Sequence, residues 1–315
     1  MHAIIVSAPG GPEVLAYVER PDPTPGDGEI VIDVAASGVN FLDIYHRSGS
    51  YPLSLPTPIG SEGAGTVSAV GPNVREVAVG DTVAWANVLG SYAEKAVVPA
   101  DRVVPVPDGV PADVAAAAML QGMTAHYLTH STHEVREGEE VLVHAGAGGM
   151  GQLLIQLAKL KGAKVHATVS TSEKEKLARA AGADEVLRYE DFATALRGKI
   201  DVVYDGVGAA TFDGGLEALR PRGLMALYGA ASGPVPPVDP QTLNKQGSLF
   251  LTRPTLVHYI AERRELLQRA SDLFGWIADG RIAINVSHRY PLAEARQAHE
   301  DLAGRRTTGK LLLIP

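Results

Sequence analysis

The chain has 315 residues, of which 45% are apolar, and a formal net charge of −8. This length and apolar content suit one large or two ordinary globular domains, and the acidic balance argues against a nucleic-acid partner or an anionic membrane surface. The absence of cysteine excludes disulfides, thiolate catalysis and cysteine-bearing zinc sites.

Residues 1 to about 120 predict a domain made mostly of β-strands. Short runs rich in β-branched residues, at 30–34, 65–70 and 82–85, are separated by proline and glycine. The stretch 21–26 is a proline-rich loop, since proline cannot donate to a regular ladder. We therefore expect an irregular barrel here.

From about residue 112 the pattern changes to alternating strands and helices. An alanine-rich run at 112–120 predicts a helix, and the alternation after Gly138 predicts a parallel sheet with helices on both faces. Strands are expected at 140–144, 163–169, 185–187, 200–204, 224–228 and 248–252, and helices at 152–162, 173–181, 212–219 and 262–279. A last strand at 309–314 has no place in that sheet, and we expect it to return to the N-terminal region.

A glycine motif joins the first strand of this second region to its first helix. Gly146, Gly148 and Gly151 form a complete G-x-G-x-x-G between them. The first glycine allows a tight turn, the second lets the backbone approach a pyrophosphate, and the third lets the helix pack closely on the strand. The context predicts a dinucleotide site on the segment that also contains Gly149 and Met150, with phosphate at the helix N-terminus.

The residues after the next strand bear on which nicotinamide cofactor binds. An NAD site usually places an acidic residue there, whereas this chain has Ser170 and then Lys174. Hydroxyl and ammonium groups suit a 2′-phosphate, so NADPH is favoured. Glu173 opposes this interpretation, and the alternative that Glu173 and Lys174 are merely solvated residues of a helix stays open.

Motifs along nearly the whole chain resemble one family. They are Gly38–Tyr45, Ile59–Gly65, Gly80–Val83, Gly122–Ala125, Ala145–Gly151, Val203–Gly208, Thr252–Pro254 and Gly309–Pro315. Together they resemble the zinc-free quinone oxidoreductases of the medium-chain dehydrogenase/reductase superfamily. The resemblance implies an α/β chain with a GroES-like substrate domain, 1–122 completed by 256–315, and a Rossmann domain with a doubly wound parallel sheet, 123–255. It also implies a cleft where nicotinamide meets substrate, and a homodimer or larger homo-oligomer joined through the strand at 248–252.

The same resemblance assigns site residues. Asn40, Tyr45, Ser61 and Thr124 match positions at the nicotinamide end, with Tyr45 and Asn40 as the catalytic candidates. The remaining cofactor positions are Ser170 and Lys174 at the 2′-phosphate, Tyr189 beside adenosine, Tyr228 and Gly229 after the fifth strand, Phe250, Leu251 and Thr252 facing the carboxamide, and Arg305 and Lys310 in the tail. Ala230 and Gly206 depart from the family pattern, which puts particular side-chain contacts in doubt.

No metal is expected. Asn40 and Ser61 stand where zinc-dependent relatives have cysteine and histidine, and Glu62 alone cannot build a three-ligand site. We expect Glu62 to be a buried, paired acid, and His126, His130 and His133 to lie on the surface. Without a Lewis acid, an acceptor that yields a stabilised oxyanion is favoured, and a quinone gives a phenolate-like product with a pKa of about 10 by analogy with tyrosine.

The expected activity is therefore hydride transfer from NADPH to a quinone. Tyr45 would be a proton donor or a stacking wall, and Asn40 would orient ribose, nicotinamide or substrate oxygen. Two alternatives stay open: an NADPH-dependent reductase of enones or alkenals, and a non-enzymatic cofactor-binding protein that senses redox state. We expect a cytoplasmic protein with no membrane or nucleic-acid partner, since neither a signal segment nor a long apolar run occurs.

Overall fold

Sixteen β-strands and ten α-helices follow one another along the chain, and the computed structural model describes all of residues 1–315. The strands are β1 His2–Val6, β2 Ala16–Glu19, β3 Glu29–Val39, β4 Thr57–Pro58, β5 Glu62–Val70, β6 Thr82–Ala86, β7 Lys95–Pro99, β8 Val103–Pro105, β9 Glu140–Val143, β10 Lys164–Thr168, β11 Glu185–Leu187, β12 Ile200–Asp205, β13 Leu219–Leu227, β14 Phe250–Thr252, β15 Val286–Pro291 and β16 Lys310–Ile314. The helices are α1 Phe41–Ser48, α2 Ala112–Tyr127, α3 Gly149–Leu160, α4 Ser172–Ala180, α5 Phe192–Ala195, α6 Phe212–Ala218, α7 Pro240–Lys245, α8 Leu256–Tyr259, α9 Arg263–Ala278 and α10 Ala295–Ala303.

The chain divides into two units, Met1–Met123 with Tyr259–Pro315, and Thr124–His258. The second unit contains a six-stranded sheet in the order β11-β10-β9-β12-β13-β14, and all of its strand pairs are parallel. This is the strand order of a dinucleotide-binding sheet. Because both faces are covered, the central strand β9 is a continuous apolar run whose Val141, Leu142 and Val143 are all fully buried.

The first unit contains a seven-stranded sheet and a three-stranded sheet. The larger has the order β15-β16-β3-β5-β6-β8, with β7 also paired to β3, and the smaller has the order β2-β1-β4. Strand β16 pairs antiparallel with β3, with Leu311 opposite Val39. The expectation that the last strand returns to the N-terminal region is therefore confirmed.

Three features of the fold differ from the sequence-based expectations. Strand β13 begins at Leu219 and runs through Pro221, because a register shift in its pairing with β12 accommodates the proline. Helix α1 was not predicted, since its eight residues are too few for a clear helical period. The expected surface position of the three histidines is wrong for His126, which is 4% exposed and stacks on His130, because α2 passes through the interior.

None of the helices has the length and apolar content that crossing a membrane would require.

Candidate functional site

The glycine turn after β9 leaves no room for side chains at two of its three motif positions. A β-carbon at Gly151 would lie 2.3 Å from the carbonyl oxygen of Ala145, and one at Gly146 would lie 2.8 Å from the β-carbon of Ala167. At Gly148 the nearest atom would be 3.3 Å away. Thus Gly146 and Gly151 are needed for internal packing, whereas Gly148 keeps the outer side of the turn open. This cradle fits a pyrophosphate approached by backbone N–H groups.

Several predicted cofactor residues of the second unit lie at one edge of its sheet. Parallel strands end at the same edge, and these residues follow strand ends. The glycine turn follows β9, Ser170 follows β10, Tyr189 follows β11 and Tyr228 follows β13. The predicted Phe250, Leu251 and Thr252 form β14 at the lateral end of the sheet. Folding thus brings to this edge residues as far apart in the chain as Gly146 and Tyr228.

His144, which sequence reasoning missed, lies between β9 and the glycine turn and contacts the end of β10. Its Nδ1 lies 2.8 Å from the hydroxyl oxygen of Thr168, which joins the ends of β9 and β10. The backbone N–H of Gly146 donates to the carbonyl oxygen of Thr168 at 3.0 Å, so the same residue also holds the turn. Burial lowers the pKa of His144 to about 4, and the ring is therefore neutral at physiological pH.

Asp205, also missed, shapes the loop that follows β12. Its buried carboxylate accepts from the backbone N–H groups of Val207 and Gly208 at 2.7 and 2.9 Å, and from the hydroxyl of Thr211 at 2.8 Å. An acid at a strand end followed by glycines was the available signal. This loop lies at the same carboxyl edge as the glycine turn.

At this edge, Tyr228 packs directly against the backbone of Gly206. A β-carbon at Gly206 would lie 2.7 Å from two ring carbons and from the hydroxyl oxygen of Tyr228. The ring therefore occupies the space that a side chain at position 206 would need. The departure from the family pattern at Gly206 thus has a physical reason in this chain.

The turn between β10 and α4 carries the residues predicted for the 2′-phosphate. Lys174 Nζ lies 3.4 Å from the Ser170 hydroxyl, and the Thr171 side chain caps the helix by accepting from the Lys174 N–H. Glu173 is exposed, and its pKa is lowered by its own backbone N–H and by the Thr171 hydroxyl. Its carboxylate is therefore held at the start of its own helix.

Asn40 lies in a buried polar cluster of the first unit. Its side-chain oxygen accepts from Lys310 Nζ at 2.8 Å and from Gln121 Nε2 at 3.2 Å, and its Nδ2 donates to Glu62 at 2.7 Å. Glu62 also forms an ion pair with Lys310 and accepts from the Leu120 N–H at 2.6 Å. The prediction that Glu62 is a buried, paired acid is confirmed. Lys310, which is expected where the tail approaches the cofactor, is 1% exposed and belongs to this cluster.

Ser61 belongs to a second buried cluster, which contains Asp43, Tyr92, His299 and Arg47. The Ser61 and Tyr92 hydroxyls donate to the two carboxylate oxygens of Asp43 at 2.6 and 3.0 Å. Burial raises the pKa of Asp43 to about 6 against these hydrogen bonds. Because the Tyr92 proton is used on Asp43, its oxygen accepts from His299 Nε2 at 3.2 Å, and His299 Nδ1 then accepts from Arg47 at 3.2 Å. Sequence reasoning missed this chain of hydrogen bonds.

Tyr45 stands in an aromatic group on α1 and the segment after it. Its ring centroid lies 6.3 Å from that of Phe41 and 5.2 Å from that of Tyr51, and Tyr51 is 42% exposed. Thr124 lies on α2 and is 8% exposed. Arg305 is exposed in the loop after α10, where its φ is 55°.

The donor set around Asn40 and Ser61 does not fit a zinc ion. Zinc sites use thiolate, imidazole and carboxylate ligands, whereas here a neutral amide and a neutral hydroxyl occupy the matching positions. The Glu62 carboxylate beside them is neutralised by the Lys310 ammonium. No group of three or more His, Asp or Glu side chains is arranged to hold a metal ion.

Comparison with known proteins matches both parts of the chain. Residues 26–108 match the alcohol dehydrogenase GroES-like domain, and residues 149–275 match the family described as zinc-binding dehydrogenase. The chain is 45% identical to the quinone oxidoreductase of Pseudomonas aeruginosa over 98% of each chain. It is 40% identical to a 2-haloacrylate reductase of a Burkholderia species over 99% of this chain and 98% of that protein.

A solved structure shares the fold over the full length. The quinone oxidoreductase of Escherichia coli complexed with NADPH is 42% identical, with a TM-score of 0.98 and coverage of 100% of both chains. Together with the family matches, it confirms the predicted pairing of a GroES-like domain with a Rossmann domain.

Proposed function

This chain belongs to the quinone oxidoreductases of the medium-chain dehydrogenase/reductase superfamily, and on that basis we propose that it reduces a quinone with NADPH and without a metal ion. The observation that carries the proposal is the glycine cradle, which is closed to side chains at Gly146 and Gly151 and open at Gly148. Such a cradle suits the pyrophosphate of a dinucleotide, and the similar E. coli quinone oxidoreductase was solved in complex with NADPH.

Several residues of the second unit would hold NADPH. Backbone N–H groups at the start of α3 would receive the pyrophosphate, Ser170 and Lys174 the 2′-phosphate, and Tyr189 the adenosine. Asp205 and Tyr228 shape the adjoining loops, with Gly229 beside them. Asn40, Ser61 and Thr124 are proposed for the nicotinamide end, together with Phe250, Leu251, Thr252 and Arg305. Bound NADPH supplies the hydride.

The protein's own contribution to the chemistry is orientation and hydrogen bonding. A reduced quinone oxygen has a pKa of about 10 by analogy with tyrosine, so it needs only modest stabilisation and no Lewis acid. The ring group of Phe41, Tyr45 and Tyr51 offers a surface suited to a planar acceptor. Tyr45 would act there either as a proton donor or as a wall.

Asn40 would act through its position rather than by moving a proton. Its side-chain oxygen already accepts from Lys310 and Gln121, and its Nδ2 donates to Glu62. An amide held in this way presents one orientation only. We therefore propose that Asn40 keeps the protein surface near the nicotinamide in one fixed conformation.

The function is tested by measuring NADPH oxidation with a panel of benzoquinones and naphthoquinones, with and without a metal chelator. We expect turnover well above the uncatalysed background and unaffected by the chelator. Activity that disappears with the chelator and returns with zinc would overturn the proposal. In the same assay, an unchanged turnover of Tyr45→Phe would remove the donor role and leave the wall.

A second candidate function is reduction of an activated C=C bond. It is favoured by the 40% identity to a 2-haloacrylate reductase over nearly the full chain. Conjugate hydride addition likewise needs no metal when the carbonyl activates the alkene. Parallel assays with a benzoquinone, an enone and 2-chloroacrylate at equal NADPH would rank the two activities by kcat/KM.

We further propose a homodimer joined through β14. This strand pairs with β13 on one side only, at the edge of its sheet, and Phe250 on it is 62% exposed. Unpaired strand edges invite pairing with a second copy. By light scattering, Phe250→Lys should give a monomer, and Val79→Lys, at a position equally exposed at 61%, should remain dimeric. A Phe250→Lys variant that stays dimeric would exclude this edge.

We also propose a cytoplasmic location, since a reductase of this kind depends on a pool of NADPH that metabolism regenerates.

A further inference from the structure

Arg188, the residue after β11, ties that strand to the turn between β10 and α4. Its guanidinium donates to the carbonyl oxygen of Thr171 at 2.8 Å and to the Ser172 hydroxyl at 3.2 Å. The strand register explains the proximity, since Thr168 at the end of β10 pairs with Leu187 at the end of β11. The Arg188 side chain is 28% exposed, so it is accessible at this edge of the sheet.

The guanidinium keeps part of its hydrogen-bonding capacity. Its third contact is with Glu175, at 3.3 Å, and the other carboxylate oxygen of Glu175 accepts from Arg179 at 2.9 Å. Glu175 is therefore neutralised by Arg179 and does not depend on Arg188. Of the five N–H groups of an arginine, about two are not used in these three contacts.

A second cation, Lys174, contacts the same turn. Lys174 Nζ lies 3.4 Å from the Ser170 hydroxyl, and Arg188 holds the two residues that follow Ser170. Two cationic side chains thus contact one turn, 170–172, whose three residues all carry hydroxyl groups. A planar guanidinium and an ammonium beside hydroxyls are the groups that bind a phosphate dianion.

We propose that Arg188 is a second cation of the 2′-phosphate site and that it sets the preference for NADPH over NADH together with Lys174. The proposal rests on the placement of the 2′-phosphate at Ser170 and Lys174 given above. Arg188 would contact the phosphate through its remaining N–H groups while its bond to Thr171 keeps the turn in place.

Binding of nucleotide fragments tests this without any turnover. Adenosine 2′,5′-bisphosphate carries the 2′-phosphate and adenosine 5′-monophosphate lacks it, and both can be titrated calorimetrically into the full chain. We expect Arg188→Gln to weaken the bisphosphate by about 10- to 100-fold and the monophosphate by less than about twofold, because charge-assisted bonds to phosphate are lost. Added salt should reduce the difference in bisphosphate affinity between the wild type and Arg188→Gln, because it screens the charge of the guanidinium.

Two further variants separate charge from structure. Arg188→Lys keeps the charge and should recover part of the bisphosphate affinity, although the planar fork is lost. Arg197→Gln is the matched control, since Arg197 lies in the same unit, is 67% exposed and pairs with Glu217. It should bind both fragments as wild type does. Thermal melting of each variant reports whether the turn itself has been lost.

The outcomes distinguish this proposal from the one on which it rests. If Arg188→Gln weakens both fragments equally, Arg188 only holds the turn and the proposal is overturned. If Lys174→Ala abolishes the preference for the bisphosphate over the monophosphate and Arg188→Gln leaves that preference unchanged, the proposal for Arg188 also fails. The placement of the 2′-phosphate at Ser170 and Lys174 is then supported. If only Arg188→Gln abolishes the preference, Arg188 is supported and the role of Lys174 is withdrawn. If neither variant changes this preference, the 2′-phosphate binds elsewhere, and both the role of Arg188 and the site at Ser170 and Lys174 are overturned.

Discussion

Lys310 and Glu62 form an ion pair inside the first unit, where their side chains are 1% and 0% exposed. They are 248 residues apart in the chain, and Asn40 contacts both of them. Each charge is compensated by the other in surroundings that exclude water. Removing one partner therefore leaves an isolated buried charge, which costs more than the pair itself contributes.

Lys310→Met should lower the free energy of unfolding by about 3–5 kcal/mol, since Glu62 is then buried without its cation. Glu62→Gln should also destabilise, because the ammonium is left alone. The double variant Lys310→Met/Glu62→Gln should recover part of the loss, because no buried charge remains. Urea unfolding of the four proteins measures the cycle. A Lys310→Met variant as stable as the wild type would contradict the interior position of this pair.

His299 should make the protein sensitive to acid. Burial, followed by the charge of Arg47, lowers its pKa from 6.5 to about 3. Between these values the unfolded state binds a proton that the folded state excludes, so stability falls as the pH decreases from about 6.5 to about 3. Asp43 has the opposite sign, since its pKa is raised to about 6. Asp43 is present in both the wild type and a His299 variant, so its contribution to the pH dependence cancels when the two are compared.

His299→Gln can accept from Arg47 and donate to Tyr92, but it cannot titrate. Across this pH range its stability should fall less steeply than that of the wild type, by as much as about 1.4 kcal/mol per pH unit. Urea unfolding at a series of pH values measures the two slopes. Parallel curves for the two proteins would show that His299 is not held neutral by the fold.

The glycines of the cradle should separate folding from binding. Gly148 has φ −73° and ψ 165°, and a β-carbon there meets only the Ala145 oxygen at 3.3 Å. Gly148→Ala should therefore fold normally and bind NADPH at least about tenfold more weakly, because the methyl group blocks the approach of the pyrophosphate. Gly151→Ala should lower the free energy of unfolding by about 1–3 kcal/mol, because its methyl group would lie 2.3 Å from the carbonyl oxygen of Ala145. Nucleotide titration and urea unfolding of both variants give the comparison. Tight NADPH binding by Gly148→Ala would place the phosphates elsewhere.

The pairing of Gly206 with Tyr228 can be tested by substituting both. Gly206→Ala should destabilise by about 1–3 kcal/mol, because its methyl group collides with the ring at 2.7 Å. Adding Tyr228→Leu should relieve most of that loss, so the two effects would not add. Gly275→Ala in α9 is the control: nothing lies within 4 Å of its β-carbon, and it should stabilise by about 0.5–1 kcal/mol. Additive effects of the first two substitutions would mean that the ring moves freely.

Local patterns were sufficient for the nucleotide-binding half of the fold. The glycine spacing at 146–151 and the alternation of strands and helices predicted the parallel sheet and its first turn, because both signals lie within a few neighbouring residues. Ser170 and Lys174 were proposed for the 2′-phosphate by counting from the glycines to the end of the next strand. Short helices without a clear period, such as α1, gave no such signal.

The sequence by itself determined the family resemblance, the alternation of strands and helices from β9 to β14 and the expectation that Glu62 is paired. Only the tertiary structure decided that the cation opposite Glu62 is Lys310 and that Arg188 lies against the Ser170 turn. The physical reason is range: backbone turns and periodicity depend on adjacent residues, whereas burial and ion pairing depend on which distant segments the completed sheets place side by side.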